Sequence, residues 1–165
     1  LQFSRIGREK VDLQPVDLNK VLQEVLANLQ TAVEESGAYV DIQTLPTVVA
    51  DRLQVVQLLQ NLISNALKFR KPKAKPSVHI SARTQGAFCV VAVKDDGLGI
   101  PETDQKSIFE IFRRLHRRTE YPGDGIGLAA CKKIVEMHEG KIWVESQAGQ
   151  GATFHFTLPL KPSPV

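Results

Sequence analysis

The 165-residue chain lacks most of the residues that announce a specialised class. It has two cysteines, Cys89 in an apolar strand-like run and Cys131 in a helical run, with no ligand spacing or pairing motif around either. That argues against a disulfide framework or a cysteine metal centre, and reads as two buried, reduced thiols of a cytoplasmic protein. No apolar run approaches the roughly 20 residues a membrane span needs, and the opening residues do not read as a signal peptide. The opening Leu1 reads as the start of a fragment, so that any sensor or anchor would lie upstream. Neither sign of charge dominates: Lys+Arg 21 against Asp+Glu 18 leaves +3, too little to argue for nucleic acid. The basic residues cluster at Arg70–Lys75 and Arg113–Arg118, a pattern of local phosphate chemistry. There is no internal repeat.

What is present is an ordinary globular composition, 42% apolar and 24% charged, in a length that suits one compact domain. Leu1–Asp12 reads as a helix end running into a polar linker, with Pro15 breaking any continuation. Asp17 can cap a helix whose apolar positions Leu18, Val21, Leu22, Val25, Leu26 and Leu29 recur at helical spacing up to Gly37. Tyr39–Thr44 and Thr47–Ala50 read as short strands, and Asp51 opens a long helix to about Arg70. Val78–Arg83 and Phe88–Lys94 read as a hairpin turning at Gln85-Gly86. Asp104–Leu115 reads as a short helix, Ile126–His138 as a third long one, and Lys141–Glu145 with Ala152–Leu158 as a closing strand pair. Helices and strands without a regular βαβ alternation give an α+β fold: a mixed sheet with helices on one face.

Three places carry chemistry. On the helix after Asp51, Leu59, Leu62, Ile63 and Ala66 fall within roughly 80° of Val55, while Asn61, Asn65 and Lys68 share a neighbouring face. A carboxamide oxygen is a hard ligand suited to Mg²⁺, and a lysine beside it meets phosphate as a point charge; an ordinary solvated face is the plainer alternative. In Asp95-Asp96-Gly97-Leu98-Gly99-Ile100-Pro101, a carboxylate at a strand end can accept from an amino group such as adenine's while glycines let the backbone approach. A plain Asp-Gly turn would look the same. Gly123-Asp124-Gly125-Ile126-Gly127-Leu128 runs into a helix, whose N-terminus favours phosphate. It follows no strand and lacks Gly-Lys-Ser/Thr, which argues against Rossmann and Walker sites.

Taken in order, Asn61–Asn65–Lys68, Asp95-x-Gly97-x-Gly99, Phe109 with Phe112, and Gly123-x-Gly125-x-Gly127-Leu128 resemble the N, G1, F and G2 boxes of the histidine-kinase catalytic domain. That domain belongs to the Bergerat-fold ATPases, with gyrase, MutL and heat-shock chaperones. The resemblance covers nearly the whole chain and implies a two-layer α/β sandwich, with a mixed, mostly antiparallel sheet and three main helices on one face. It implies ATP and Mg²⁺ as ligands. By that likeness Asn65 ligates Mg²⁺ with Asn61 in support, Lys68 approaches the phosphates, and Asp95 binds the adenine amine. Gly97 and Gly99 let the backbone close on the base, Phe109 and Phe112 anchor the lid, and Arg114 matches the F-box arginine. Gly123, Gly125, Gly127 and Leu128 shape the lid and present the helix to the triphosphate, and Thr153 resembles a final box near the adenine pocket.

One position separates the chemistries of these ATPases. The hydrolases carry a glutamate four residues before the Mg²⁺ asparagine; here that residue is Asn61, which cannot take a proton at neutral pH. Binding and orientation of the γ-phosphoryl for an external nucleophile remain, a transferase design. Of His79, His116, His138 and His155, only His138 has an acidic residue directly after it, Glu139; it sits near a helix end and reads as structural, as do His79 and His155 in strand-like runs. Residues 1–14 then read as the end of the dimerisation and phosphoacceptor hairpin with its linker, and residues 15–165 as the catalytic domain. The flanking text resembles kinases attached to bacterial phytochrome and PAS photosensors. The resemblance implies three partners: the upstream hairpin of the same protein, a response-regulator receiver domain, and a second copy in the full-length homodimer, the fragment itself being monomeric. Asp124, Ile111 and Ala152 depart from the usual family text. A nucleotide-binding module of a phosphatase-biased sensor is the alternative, and an anti-sigma-type kinase a third.

Overall fold

The computed structural model describes residues 10–110 and 127–161. Five strands form the main sheet, β2 (Tyr39–Ile42), β4 (Ser77–Gln85), β5 (Phe88–Asp95), β6 (Ile142–Ser146) and β7 (Ala152–Pro159), in the order β2-β4-β5-β7-β6. The β2–β4 pair is parallel and the others are antiparallel. One sheet face is covered by α1 (Leu18–Asn28), α3 (Arg52–Lys68) and α4 (Gly127–Met137). The mixed, mainly antiparallel sandwich expected from the sequence is therefore the fold.

The layers meet because each element buries one stripe. Helix α3 starts where the Asp51 carboxylate accepts from the Gln54 N–H at 3.3 Å, and it buries Val55, Leu58, Leu59, Leu62, Ile63, Ala66 and Leu67. A fully buried leucine contributes roughly 2 kcal/mol of transfer free energy, so this helix is held chiefly by its core stripe. Opposite it, Cys89, Val91 and Val93 of β5 and Phe154, Phe156 and Leu158 of β7 alternate onto the same face. Both cysteines are buried and free, and burial pushes the thiols up, Cys89 to about 11 and Cys131 to about 12, so neither is a ready thiolate.

The structure corrects four local expectations. Pro15 is not a break but lies in a short strand, β1 (Gln14–Asp17), which pairs antiparallel with β3 (Thr47–Ala50) in a separate two-stranded ladder. A proline is tolerated there because neither strand has a second neighbour. The first helix does not run unbroken to Gly37: at Leu29 the backbone leaves the helical region (φ −101, ψ 11), and a second helix, α2 (Gln30–Ser36), follows with no buried residue. The β4–β5 hairpin turns at Gly86-Ala87, since Gln85 already pairs with Phe88. Over Pro101–Glu110, bonds such as Asp104 N–H to Pro101 O (2.9 Å) and Ser107 N–H to Asp104 O (3.1 Å) wind the chain in tight three-residue turns; the rest of the helix expected to Leu115 lies outside the described residues.

Candidate functional site

Strand β5 delivers Asp95 to the end of the sheet, where it pairs with Ala152 of β7 and shares the helix-covered face with Val91 and Val93. Burial raises its carboxyl to about 6, opposed by the backbone N–H groups of Gly97 and Ala152 and reinforced by the charge of Asp96. Gly97 N–H donates to Asp95 Oδ1 at 2.9 Å. A largely desolvated carboxylate of this kind is an acceptor for a further N–H donor. The neighbouring carboxylate does different work: Asp96 Oδ1 accepts from Ser77 N–H at 2.9 Å and so ties the loop to the start of β4.

The loop after Asp95 is clamped from both sides by backbone. A Cβ at Gly97 would stand 2.3 Å from the carbonyl oxygen of Phe69, the residue that ends α3, and Leu98 N–H donates to that same oxygen at 3.0 Å. Gly99 has φ +73, and a Cβ there would meet Gln147 O at 2.1 Å. The glycines thus serve contacts of the protein with itself, joining the end of α3 to the β6–β7 turn. Two side chains that the sequence did not single out complete the clamp. Ser146 Oγ accepts from Ile100 N–H at 2.7 Å and donates to Gly151 O at 2.6 Å, and Gln105 Nε2 donates to Ile100 O and Ser146 O at 3.0 and 2.8 Å. No local motif marks Ser146 or Gln105, because each acts on residues distant in the chain.

Helix α3 carries Asn61, Asn65 and Lys68 on one side, the asparagines half-buried and the lysine exposed in the last turn. Asn61 Nδ2 donates to Gly127 O, at the first residue of α4, at 3.4 Å, and the Asn61 amide also approaches the Cys131 thiol. Gly127 is therefore brought against the polar face of α3. Phe69, the residue after Lys68, joins the end of α3 to the Gly97 loop. Phe109 packs edge-on against Phe154 with ring centroids 6.2 Å apart, beside the buried Ile108, which anchors that segment to the sheet.

Thr153 lies beside the strand end that carries Asp95. It pairs with Lys94, one position from the Asp95–Ala152 pair, so its side chain takes the sheet face opposite to Asp95. The two residues share only the border of an open groove of about 810 Å³ at the strand ends, which Lys94, Gln105, Glu145 and Gln150 also line. Ala152 occupies the Asp95 face instead. Phe112, Arg114, Gly123 and Gly125, with Ile111 and Asp124, lie outside the described residues.

Among the described residues there is no group of three His, Cys, Asp or Glu that could hold a metal ion. A site for Mg²⁺ does not require one, since that ion keeps several waters and takes one or two protein oxygens beside phosphate. The half-buried carboxamide of Asn65, a turn from Asn61 and Lys68, is a hard oxygen donor of the kind that fits it. No described helix is long and apolar enough to cross a membrane.

The family model of the histidine kinase-, DNA gyrase B- and HSP90-like ATPases matches residues 50–162, from the end of β3 through β7. Cyanobacterial phytochrome A of Nostoc sp. is 46% identical over 160 residues, which cover 97% of this chain but 21% of the phytochrome, so the chain spans about a fifth of that relative. Full-length ShkA, solved in complex with AMPPNP, superposes with TM-score 0.82 at 29% identity over 99% of this chain and 35% of its own. The catalytic domain of the histidine kinase ThkA superposes with TM-score 0.77 at 27% identity, covering 90% of this chain and 96% of that domain. With its sandwich, its clamped Asp95 loop and the polar face of α3, the chain belongs to the family of histidine kinase-, DNA gyrase B- and HSP90-like ATPases.

Proposed function

We propose that the chain is the ATP-binding catalytic domain of a sensor histidine kinase, which presents the γ-phosphoryl of ATP to a histidine on a helical domain upstream in the same protein. The observation that carries this reading is the position of Asp95: a buried carboxylate at the end of β5, inside a loop clamped between the end of α3 and the β6–β7 turn. Its ionised form accepts from the adenine amine, a contact that the keto oxygen of guanine would not make. Asn61, Asn65 and Lys68 then face the polyphosphate. Asn65, with Asn61 beside it, would hold Mg²⁺, which neutralises charge on the phosphate oxygens when bound. Lys68 adds a mobile positive charge.

The same geometry favours transfer over hydrolysis. At the position where a general base would activate water stands Asn61, whose NH₂ is turned to Gly127 O. The domain therefore binds and orients, and the nucleophile comes from elsewhere. The parent protein is read as a homodimer through the upstream hairpin, residues 1–14 being its end and linker, in the cytoplasm and passing phosphate to a response-regulator receiver domain. The test is the full-length protein incubated with γ-labelled ATP. Acid-labile label on a histidine outside this domain, lost with Asp95→Asn, is expected. Nucleotide binding without label would favour the phosphatase-biased alternative.

A further inference from the structure

Helices α3 and α4 run antiparallel, and hydrogen-bond contacts join them at three levels. Near the phosphate end Asn61 Nδ2 donates to Gly127 O at 3.4 Å; halfway along, Cys131 Sγ approaches Leu58 O at 3.8 Å; at the far end Asp51 N–H donates to His138 Nε2 at 2.9 Å. From Asn61 to Asp51 is ten residues and from Gly127 to His138 eleven, so the end contacts stand about 15 Å apart along the axes. The first two are a long amide contact and a weak thiol donor. The third is short, and it uses a ring 3% exposed whose other nitrogen, Nδ1, donates to Ile134 O at 2.8 Å. Both ring nitrogens are thus committed, and the ring cannot turn without losing a buried bond.

Between these contacts α4 adds buried apolar side chains, Ala130, Cys131, Ile134 and Val135, to the core. Hydrophobic burial is non-directional and resists an axial slide of one helix on the other weakly. Hydrogen bonds do resist it. The anchor is also fixed at its base, because Asp51 caps α3 while its second carboxylate oxygen accepts from Asp12 N–H at 3.0 Å.

We propose that His138 is a positioning residue for the phosphate end of the site: by holding the far end of α4 to the first residue before α3, it sets how far the first turn of α4 stands from Asn61 and Asn65. The inference rests on the nucleotide reading of the site. It concerns a residue about 15 Å along the helices from the Asn61–Gly127 contact.

The test separates the two ends of the ligand. The chain, and its His138→Phe and His138→Gln variants, are titrated with a non-hydrolysable ATP analogue plus Mg²⁺, and separately with adenosine, which lacks phosphate. In His138→Phe, which keeps the bulk but offers no nitrogen, ATP-analogue affinity is expected to fall about tenfold while adenosine stays within about twofold. His138→Gln, whose amide oxygen can still accept from Asp51 N–H, is expected to recover binding to within about threefold of the parent. Equal losses for both ligands, or no loss in a folded His138→Phe protein, would overturn the proposal. Should His138→Phe not fold, the split is read on His138→Asn, whose shorter side chain cannot reach Asp51; a uniform loss there overturns the proposal as well. A parent chain that binds neither ligand would instead refute the nucleotide reading itself.

Discussion

The two ends of the site are built by different means. The Asp95 end is made mainly of backbone: Phe69 O, Gln147 O, Leu98 O and the N–H groups of Gly97 and Leu98 approach one another so closely that two positions must be glycine, with Ser146 and Gln105 bracing them. The other end is made of side chains on a single helix, Asn61, Asn65 and Lys68, joined to α4 by contacts of 3.4 Å and longer apart from the distant His138 anchor. One end is preorganised before any ligand arrives, whereas the other keeps a charged lysine in water until phosphate meets it. On the proposed function, a rigid pocket for the neutral base and adjustable charge for the polyphosphate would suit a domain that holds the nucleotide yet lets its terminal phosphoryl go.

This contrast can be broken most severely at Gly99. A Gly99→Ala variant sets a Cβ at a φ of +73 and 2.1 Å from Gln147 O, and the combined strain and displacement are expected to cost about 3 kcal/mol or more. Thermal unfolding should show a drop of about 6–12 °C, with nucleotide binding lost.

The next largest effect lies in Asp95 and has two signs. Its carboxyl is raised from 3.8 to about 6 in the fold, so the protonated form is the stabilised one. The associated stability is fully present below pH about 4 and is lost as pH rises through about 6, leaving an ionisation cost of order 3 kcal/mol at neutral pH. Asp95→Asn removes that cost while keeping an oxygen for the Gly97 N–H, so at pH 7 the ligand-free variant is expected to melt a few degrees higher. The site trades stability for an ionised acceptor.

The same shift sharpens the comparison by pH. The ionised carboxylate accepts from an amine more strongly than the neutral acid does, so adenosine and ATP affinity are both expected to weaken below pH about 6, by up to about tenfold at pH 5. Titration of the two ligands across this range checks it. A loss confined to ATP would place the titrating group at the phosphate end instead.

The smallest effect is expected at Lys68. It is exposed, so water and salt screen it. Lys68→Ala should weaken ATP about threefold and leave adenosine unchanged, with the difference shrinking as salt is added.

Legibility followed the same division. The helix α3, its Asp51 cap and the Asn61–Asn65–Lys68 face were readable because a single 3.6-residue period specifies cap, core stripe and polar stripe together. The order of the glycine motifs was readable for the same reason: each is local. What escaped was set by partners far away in the chain. Pro15 joins a strand only because Val49 lies beside it, and Ser146 matters only because Ile100 does. Which of Ala152 and Thr153 shares the sheet face of Asp95 was likewise not readable, because strand faces alternate and a one-residue difference in register exchanges the two. Asp95 and Asp96 look alike in sequence, and their opposite roles follow from which face each side chain takes.

Calorimetric titration of the chain with a non-hydrolysable ATP analogue and Mg²⁺, at pH 7 and beside Asp95→Asn, tests the central claim most directly. Binding by the parent that weakens by at least about tenfold in the variant, about 1.4 kcal/mol, while the variant melts no lower, is the expected result. Equal affinities in two well-folded proteins, or no binding by either, would contradict it.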